Sequence, residues 1–245
     1  ACQMKSHSAG IAGLAWRLDA EGRGATVNET GLPPELVGEC LKDLIMHEVG
    51  HTLGLRHNFR ASAWQPMEKL RVTDAPIQQT IASSVMDYLP LLVTSRPESQ
   101  GPACMTDIGP YDLLAIRYGY TTVADEAKGL APILAETTKA EHRYGTDEDV
   151  YTTFGIDPYC QIWDIGSEPL QYAREKWSLH KRLLARDWGK FIQQSPDGGR
   201  AARRSFQTVL NEHMFATQIA MRYLGGIRHN RDHGDEPGAQ SPVQH

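Results

Sequence analysis

Apolar residues recur at helical spacing along much of this chain. Ile11, Leu14, Ala15 and Leu18 share one face of a short helix over residues 8–19. After a glycine-rich polar link, Leu32-Pro33-Pro34 opens a longer helix over about 34–53, with Val37, Leu41, Leu44 and Ile45 recurring along it. Two long stripes lie near the end. Leu170, Ala173, Trp177, Leu184, Trp188 and Phe191 line up over 168–193, and Phe206, Val209, Leu210, Met214, Met221 and Leu224 over 198–224. Both stripes read as core, with His180 a satisfied core histidine on the first. Pro110 suits the first turn of a helix over 110–118, and Pro132 interrupts a modest helix over 123–136. Residues 58–82 read as irregular, with a short helix around Met67–Leu70. Residues 89–106, with Pro90, Pro97 and Pro102, read as a surface loop rimming a cleft. Residues 137–167 are irregular, and the polar tail from Gly225 should be loosely structured at its end. The expected fold class is mainly α, becoming α+β if a sheet lies upstream.

Chemistry is concentrated at the end of the 34–53 helix. His47-Glu48-Val49-Gly50-His51-Thr52-Leu53-Gly54-Leu55-Arg56-His57 reads H-E-x-x-H-x-x-G-x-x-H. His47 and His51 are four residues apart, so a helix places them on one face, about 6 Å apart along its axis. Gly54 is where the helix should stop, because glycine adopts a left-handed turn cheaply. That turn brings His57 round as a third nitrogen ligand. Three protein ligands and an open position describe catalytic zinc; structural zinc usually has four closed ligands. Zinc lowers the pKa of its water to roughly 7, and Glu48, beside the first ligand, can take the proton as general base.

This is the long zinc motif of the metzincins, and later segments resemble that clan as well. Ser83-Ser84-Val85-Met86-Asp87-Tyr88 resembles the Met-turn, with Met86 as the methionine packed beneath the zinc. In astacin-like and serralysin-like metzincins a tyrosine at the offset of Tyr88 can approach the zinc. The resemblance thus implies either that Tyr88 helps stabilise the tetrahedral intermediate or that it is a plain buried tyrosine. Asp107–Tyr120 resembles the helix after the Met-turn, and Asp112 reads as a helix-start carboxylate steadying that turn. The narrower resemblance includes Asn58-Phe59-Arg60-Ala61-Ser62, Thr146-Asp147-Glu148-Asp149, Asp164-Ile165-Gly166, Tyr223-Leu224-Gly225-Gly226 and Arg231-Asp232-His233. It points to large, poorly characterised bacterial zinc metalloproteases and covers roughly residues 36–236. Asn58 stands where better-known metzincin families carry Glu, Asp, Ser or Pro, which argues against placing the chain in any of those. The implied organisation is a zincin-like catalytic core over 1–122, with a helical C-terminal part over 123–245 packed on it.

With 245 residues, 40% hydrophobic and 22% charged, the chain suits a soluble globular protein with a sizeable core. A net charge of −5 gives no electrostatic reason to expect nucleic acid, and the Lys/Arg-rich stretch from Arg174 to Arg204 reads as a solvated helix face. No run reaches the roughly 18 apolar residues of a membrane span. The expected partner is a protein or peptide substrate. Only 46 residues precede His47, fewer than metzincins normally spend on their substrate-aligning sheet, so the N-terminal region of a longer protein is expected to be missing.

Cys2, Cys40, Cys104 and Cys160 allow three disulfide pairings, which an extracytoplasmic location, periplasmic or secreted, would permit. Cys40 lies two helical turns before His47, about 11 Å away, too far for a fourth ligand. Asp147, Glu148, Asp149, Asp157 and Asp164 form either a solvated loop or part of a Ca2+ site. His229 and His233 lack the helical setting of a second metal pair. Asn28-Glu29-Thr30 matches a glycosylation sequon of little weight in a bacterial chain. The favoured reading is a zinc endopeptidase. One alternative is the same centre acting on a non-peptide amide. Another is a binding or toxin-like subunit whose metal is mainly structural, but such a site has no use for Glu48.

Overall fold

The computed structural model describes residues 34–70, 80–92, 102–151, 156–185, 188–193, 199–229, 231 and 243–244. The helix expected over 8–19, the sequon at Asn28, and residues Cys2, Pro97 and His233 lie outside them. Within them the protein is mainly helical.

Helix α1 (Pro34–Thr52) starts at a proline, whose missing N–H costs nothing in a first turn. Its inner line is Leu36, Asp43, His47 and Gly50. The apolar positions Val37, Leu41 and Ile45 face outward instead, and Val49 and Leu53 continue that exposed row. The rotation of α1 follows from what Gly50 allows. A Cβ there would lie 2.3 Å from Met86 Sδ, so only glycine lets the buried methionine approach.

Residues 80–92 and 102–109 run beneath α1. A disulfide joins Cys40 to Cys104, and Leu92 N–H donates to Ala103 O at 2.9 Å. The described ends of the expected 89–106 surface loop are buried: Leu89, Leu91, Leu92, Ala103, Cys104 and Met105. Apolar residues beside the prolines outweigh the turn signal there. The main core joins both halves of the chain, packing Met67, Leu70, Ile81, Val85, Met86 and Met105 against Ile165, Tyr172, Ala216 and Ile219.

Short helix α2 (Met67–Leu70) falls where the sequence places it. Helix α3 (Pro110–Tyr120) leads to α4 (Glu126–Leu134), whose N-cap Asp125 accepts from Lys128 N–H. Helix α4 contains Pro132 and passes into a 3-10 turn at Ala135–Thr138. Helix α5 (Asp147–Tyr151) is one short turn within the irregular stretch.

The stripe expected over 168–193 is two helices, α6 (Pro169–Leu184) and α7 (Trp188–Gln193). Helix α6 packs along α8 (Arg200–Met221). Of the stripe expected over 198–224, Val209 is buried as read, but the rest of the inner face of α8 differs. Ala202, Val209, Ala216 and Ile219 are buried, while Phe206, Leu210, Met214, Met221 and Leu224 are exposed. Small residues let the two helices approach closely, so the large apolar side chains stay outside. On α6, Lys176 is buried, against the solvated-face reading of this stretch, and His180 is buried as a core histidine but is not satisfied. Among the described residues neither His180 ring nitrogen has a hydrogen-bond partner; burial, then Lys176 and His213, push its pKa down to about 3. At the C-terminal end, β1 (Ile227–Arg228) pairs antiparallel with β2 (Val243–Gln244), so the tail returns to the body of the protein. No described helix is long and apolar enough to cross a membrane.

Candidate metal centre

Helix α1 carries His47, Glu48 and His51, and its end is a glycine-terminated cap. Gly54 has φ +85°; Gly54 N–H donates to His51 O at 3.0 Å and Leu55 N–H to Gly50 O at 3.0 Å. This is the Schellman arrangement, which satisfies the last carbonyls and reverses the chain. It also brings Leu55 O within 3.0 Å of His51 Nδ1 and delivers His57 to the other two histidines. Ring centroids of His47 and His51 are 4.8 Å apart, His51 and His57 4.8 Å, and His47 and His57 5.5 Å.

Each Nδ1 has an anchor. His47 Nδ1 meets Val85 O at 2.7 Å, His51 Nδ1 meets Leu55 O, and His57 Nδ1 meets Asp147 Oδ1 at 2.8 Å. A carbonyl oxygen can only accept, so Nδ1 of His47 and His51 carries the proton and Nε2 keeps its lone pair. Among the described residues, His57 Nε2 is buried without a hydrogen-bond partner. The three candidate ligand atoms lie within 4.8 Å of one another, and among the described residues this is the one group of three or more His, Cys, Asp or Glu that could hold an ion. Three imidazoles whose candidate ligand atoms converge in this way fit zinc with an open position. Glu48 stands exposed beside His47.

The turn at 83–88 fixes this geometry from below. Val85 O holds His47, and Met86 O accepts from Asn58 N–H at 3.0 Å. The buried Asp112 carboxylate accepts from Ser84 Oγ at 2.5 Å, Val85 N–H at 2.9 Å and Gly109 N–H at 2.8 Å. It therefore starts α3 and steadies the turn together. Burial raises its pKa, and the three hydrogen bonds oppose that rise. At Gly109 a Cβ would lie 2.0 Å from Ser83 O, so only glycine lets the start of α3 meet the turn.

The half-buried Tyr88 stands against the histidines, its ring centroid 5.5 Å from that of His47 and 4.7 Å from that of His57. Phe59 and Trp163 flank it at 5.2 and 5.8 Å. Trp163 takes φ 66° and donates its N–H to Tyr88 O at 2.9 Å. A left-handed tryptophan is uncommon and is held by its surroundings. Burial, then the negative charges of Asp147 and Glu48, raise the Tyr88 pKa, so its hydroxyl keeps its proton and shares a field with both carboxylates.

Partners from the far half of the chain hold the third histidine, and these were not legible in the sequence. Asn58 is fully buried; its Nδ2 donates to Arg143 O, and its Oδ1 accepts from Gly145 N–H. Phe59 N–H donates to Gly145 O at 2.7 Å. Arg60 pairs with Asp157 at 2.5 Å and also donates to His229 O. The carboxylates considered for Ca2+ take separate partners: Asp147 binds His57, Glu148 pairs with Arg56, Asp149 with Arg231, Asp157 with Arg60, and Asp164 accepts from Ser62 Oγ. Cys160 is a buried free thiol. Nothing in residue spacing pairs 57 with 147 or 88 with 163; such contacts arise only on folding.

A family model described as Met-zincin matches residues 29–245, and the chain belongs to that family. No curated protein and no solved structure matches it.

Proposed function

We propose that this member of the Met-zincin family is a zinc-dependent endopeptidase, with His47, His51 and His57 as ligands and Glu48 as general base. The observation that carries the reading is the set of three imidazoles with Nδ1 anchored, and so with Nε2 left for an ion, next to an exposed carboxylate. When bound, zinc would supply positive charge to polarise the scissile carbonyl and to acidify the attacking water. Glu48 takes the water proton on its carboxylate and passes it to the leaving amine nitrogen. Its exposure leaves it open to substrate, and its place on α1 fixes it relative to His47. Tyr88, gripped between His57, Phe59 and Trp163, presents a protonated hydroxyl that donates to the developing oxyanion. Met86 and the 83–88 segment act as the Met-turn, supporting α1 through Gly50.

The substrate is a protein or peptide. The Cys40–Cys104 disulfide supports an extracytoplasmic location, since such bonds persist in oxidising compartments.

The test is Glu48→Ala, compared with wild type at matched zinc content on a casein-type substrate. The expected result is retained zinc and fold with hydrolysis lowered about 100- to 10,000-fold, the usual worth of a general base. Comparable turnover by the two proteins would overturn the mechanism.

A further inference from the structure

The three candidate ligands are not held alike. His47 and His51 sit on a helix, and their Nδ1 atoms meet neutral backbone carbonyls. His57 lies beyond the helix end, and its Nδ1 meets a carboxylate, Asp147 Oδ1, at 2.8 Å. A ligand in irregular chain has no helix to set its direction, so its ring is aimed only by what grips it.

Asp147 is itself gripped. Thr146 Oγ1 donates to its Oδ2 at 3.2 Å, and Arg56 Nη2 stands 3.7 Å from the same oxygen. The backbone before it is stitched to the residues after His57 through Asn58, Phe59, Arg143 and Gly145. Gly145 is pressed against Cys160, where a Cβ would lie 2.5 Å from Sγ. On the other side, Thr146 N–H donates to Asp149 Oδ2 at 2.8 Å, and Arg231 pairs with that carboxylate at 2.7 Å. The carboxylate is thus fixed from the segment that follows His57 and from the C-terminal end of the chain.

We infer that Asp147 is the positioning residue of the third zinc ligand, orienting His57 and strengthening its Nε2 as a donor, and that the C-terminal half belongs to the metal centre through it. This rests on the metal-centre reading above. Asp147 acts through His57 and touches no substrate. As an acceptor it holds the proton on Nδ1 and keeps the Nε2 lone pair aimed at the ion site.

The test is zinc affinity by chelator competition on the full chain, with no substrate present, for wild type, Asp147→Asn, Asp147→Glu and Glu148→Gln. Circular dichroism and the apo melting temperature monitor folding. Asp147→Asn preserves shape and removes charge, and should weaken zinc about 10- to 100-fold in a folded protein. Asp147→Glu should recover part of the loss. Glu148→Gln, next door and paired with Arg56, should stay within about twofold. The cobalt-substituted Asp147→Asn protein should show a shifted visible spectrum, which a purely structural role would leave unmoved. Zinc affinity and cobalt spectrum in folded Asp147→Asn equal to wild type would overturn this inference alone, with the endopeptidase reading intact. Failure of wild type to bind zinc would overturn both, whereas tight zinc without peptide hydrolysis would overturn only the endopeptidase reading.

Discussion

Removing the Asp112 carboxylate should damage the fold and the metal centre together. Its side chain is 3% exposed and accepts from Ser84 Oγ, Val85 N–H and Gly109 N–H. In Asp112→Ala the serine hydroxyl can rotate toward another acceptor, but the two backbone N–H groups cannot. Each buried donor left unpaired costs about 1–3 kcal/mol, and losing a negative charge at a helix start adds about 0.3–1 kcal/mol. The expected destabilisation is about 2–7 kcal/mol, a large share of the roughly 5–15 kcal/mol that holds a domain together. Asp112→Asn retains one acceptor and turns an amide donor toward another donor, so about 1–3 kcal/mol is expected. Val85 links the two effects: its N–H is held by Asp112 and its C=O holds His47. A loosened turn should therefore weaken zinc about tenfold as well, within the range seen when outer partners of ligands are lost. Urea unfolding of the apo proteins at neutral pH measures the first effect, and chelator competition measures the second. The expected order is wild type, Asn, Ala in both. An Ala variant within about 1 kcal/mol of wild type would refute the hydrogen-bond argument, whatever its zinc affinity. Lost stability with unchanged zinc affinity in the Asn variant would refute the coupling through Val85.

Tyr88→Phe should lower kcat about 5- to 150-fold, more than it raises KM, because the hydroxyl meets charge that develops only in the transition state; kcat within a factor of about two would make Tyr88 a packing residue. Burial raises the Asp164 carboxyl to about 7 and, with Asp164 beside it, holds Asp87 well above its usual value. A carboxyl whose folded pKa exceeds its unfolded value stabilises the fold below about pH 4 and loses that contribution as pH rises through about 7. Relative to Asp164→Asn, wild type should thus lose up to about 4 kcal/mol across that window, and parallel urea-unfolding curves would contradict it. Cys104→Ser releases a link spanning 64 residues and should cost about 2–4 kcal/mol, read against wild type in non-reducing urea; a shift below about 1 kcal/mol would mean that the bond constrains little.

Helix α1, its glycine stop, the three histidines and the helix start at Pro110 were legible in the sequence, because each rests on local rules: side-chain periodicity, glycine's left-handed turn, proline's missing N–H. The short helix at Met67–Leu70 was legible for the same reason. The faces of α1 and α8 were not. Periodicity fixes how apolar residues are spaced, not which neighbour they meet. Met86 could approach only Gly50, which turned Val37, Leu41 and Ile45 outward, and close packing on α6 selected alanines over Leu210 and Met214. Lys176 and His180 were buried by the same contact, against their own preference for water.

The chemistry divides in the same way. Spacing alone brings His47, Glu48, His51 and His57 together, because they lie within one helix and one turn. What orients them comes from elsewhere: Val85 O for His47, Asp147 for His57, and Trp163 and Phe59 around Tyr88. These partners are distant in sequence and meet only when the long loops close over a common core. The identity of the candidate ligands was thus a property of the sequence, and their tautomers, directions and field were decided by the tertiary structure, since a hydrogen bond between distant residues has no local signature.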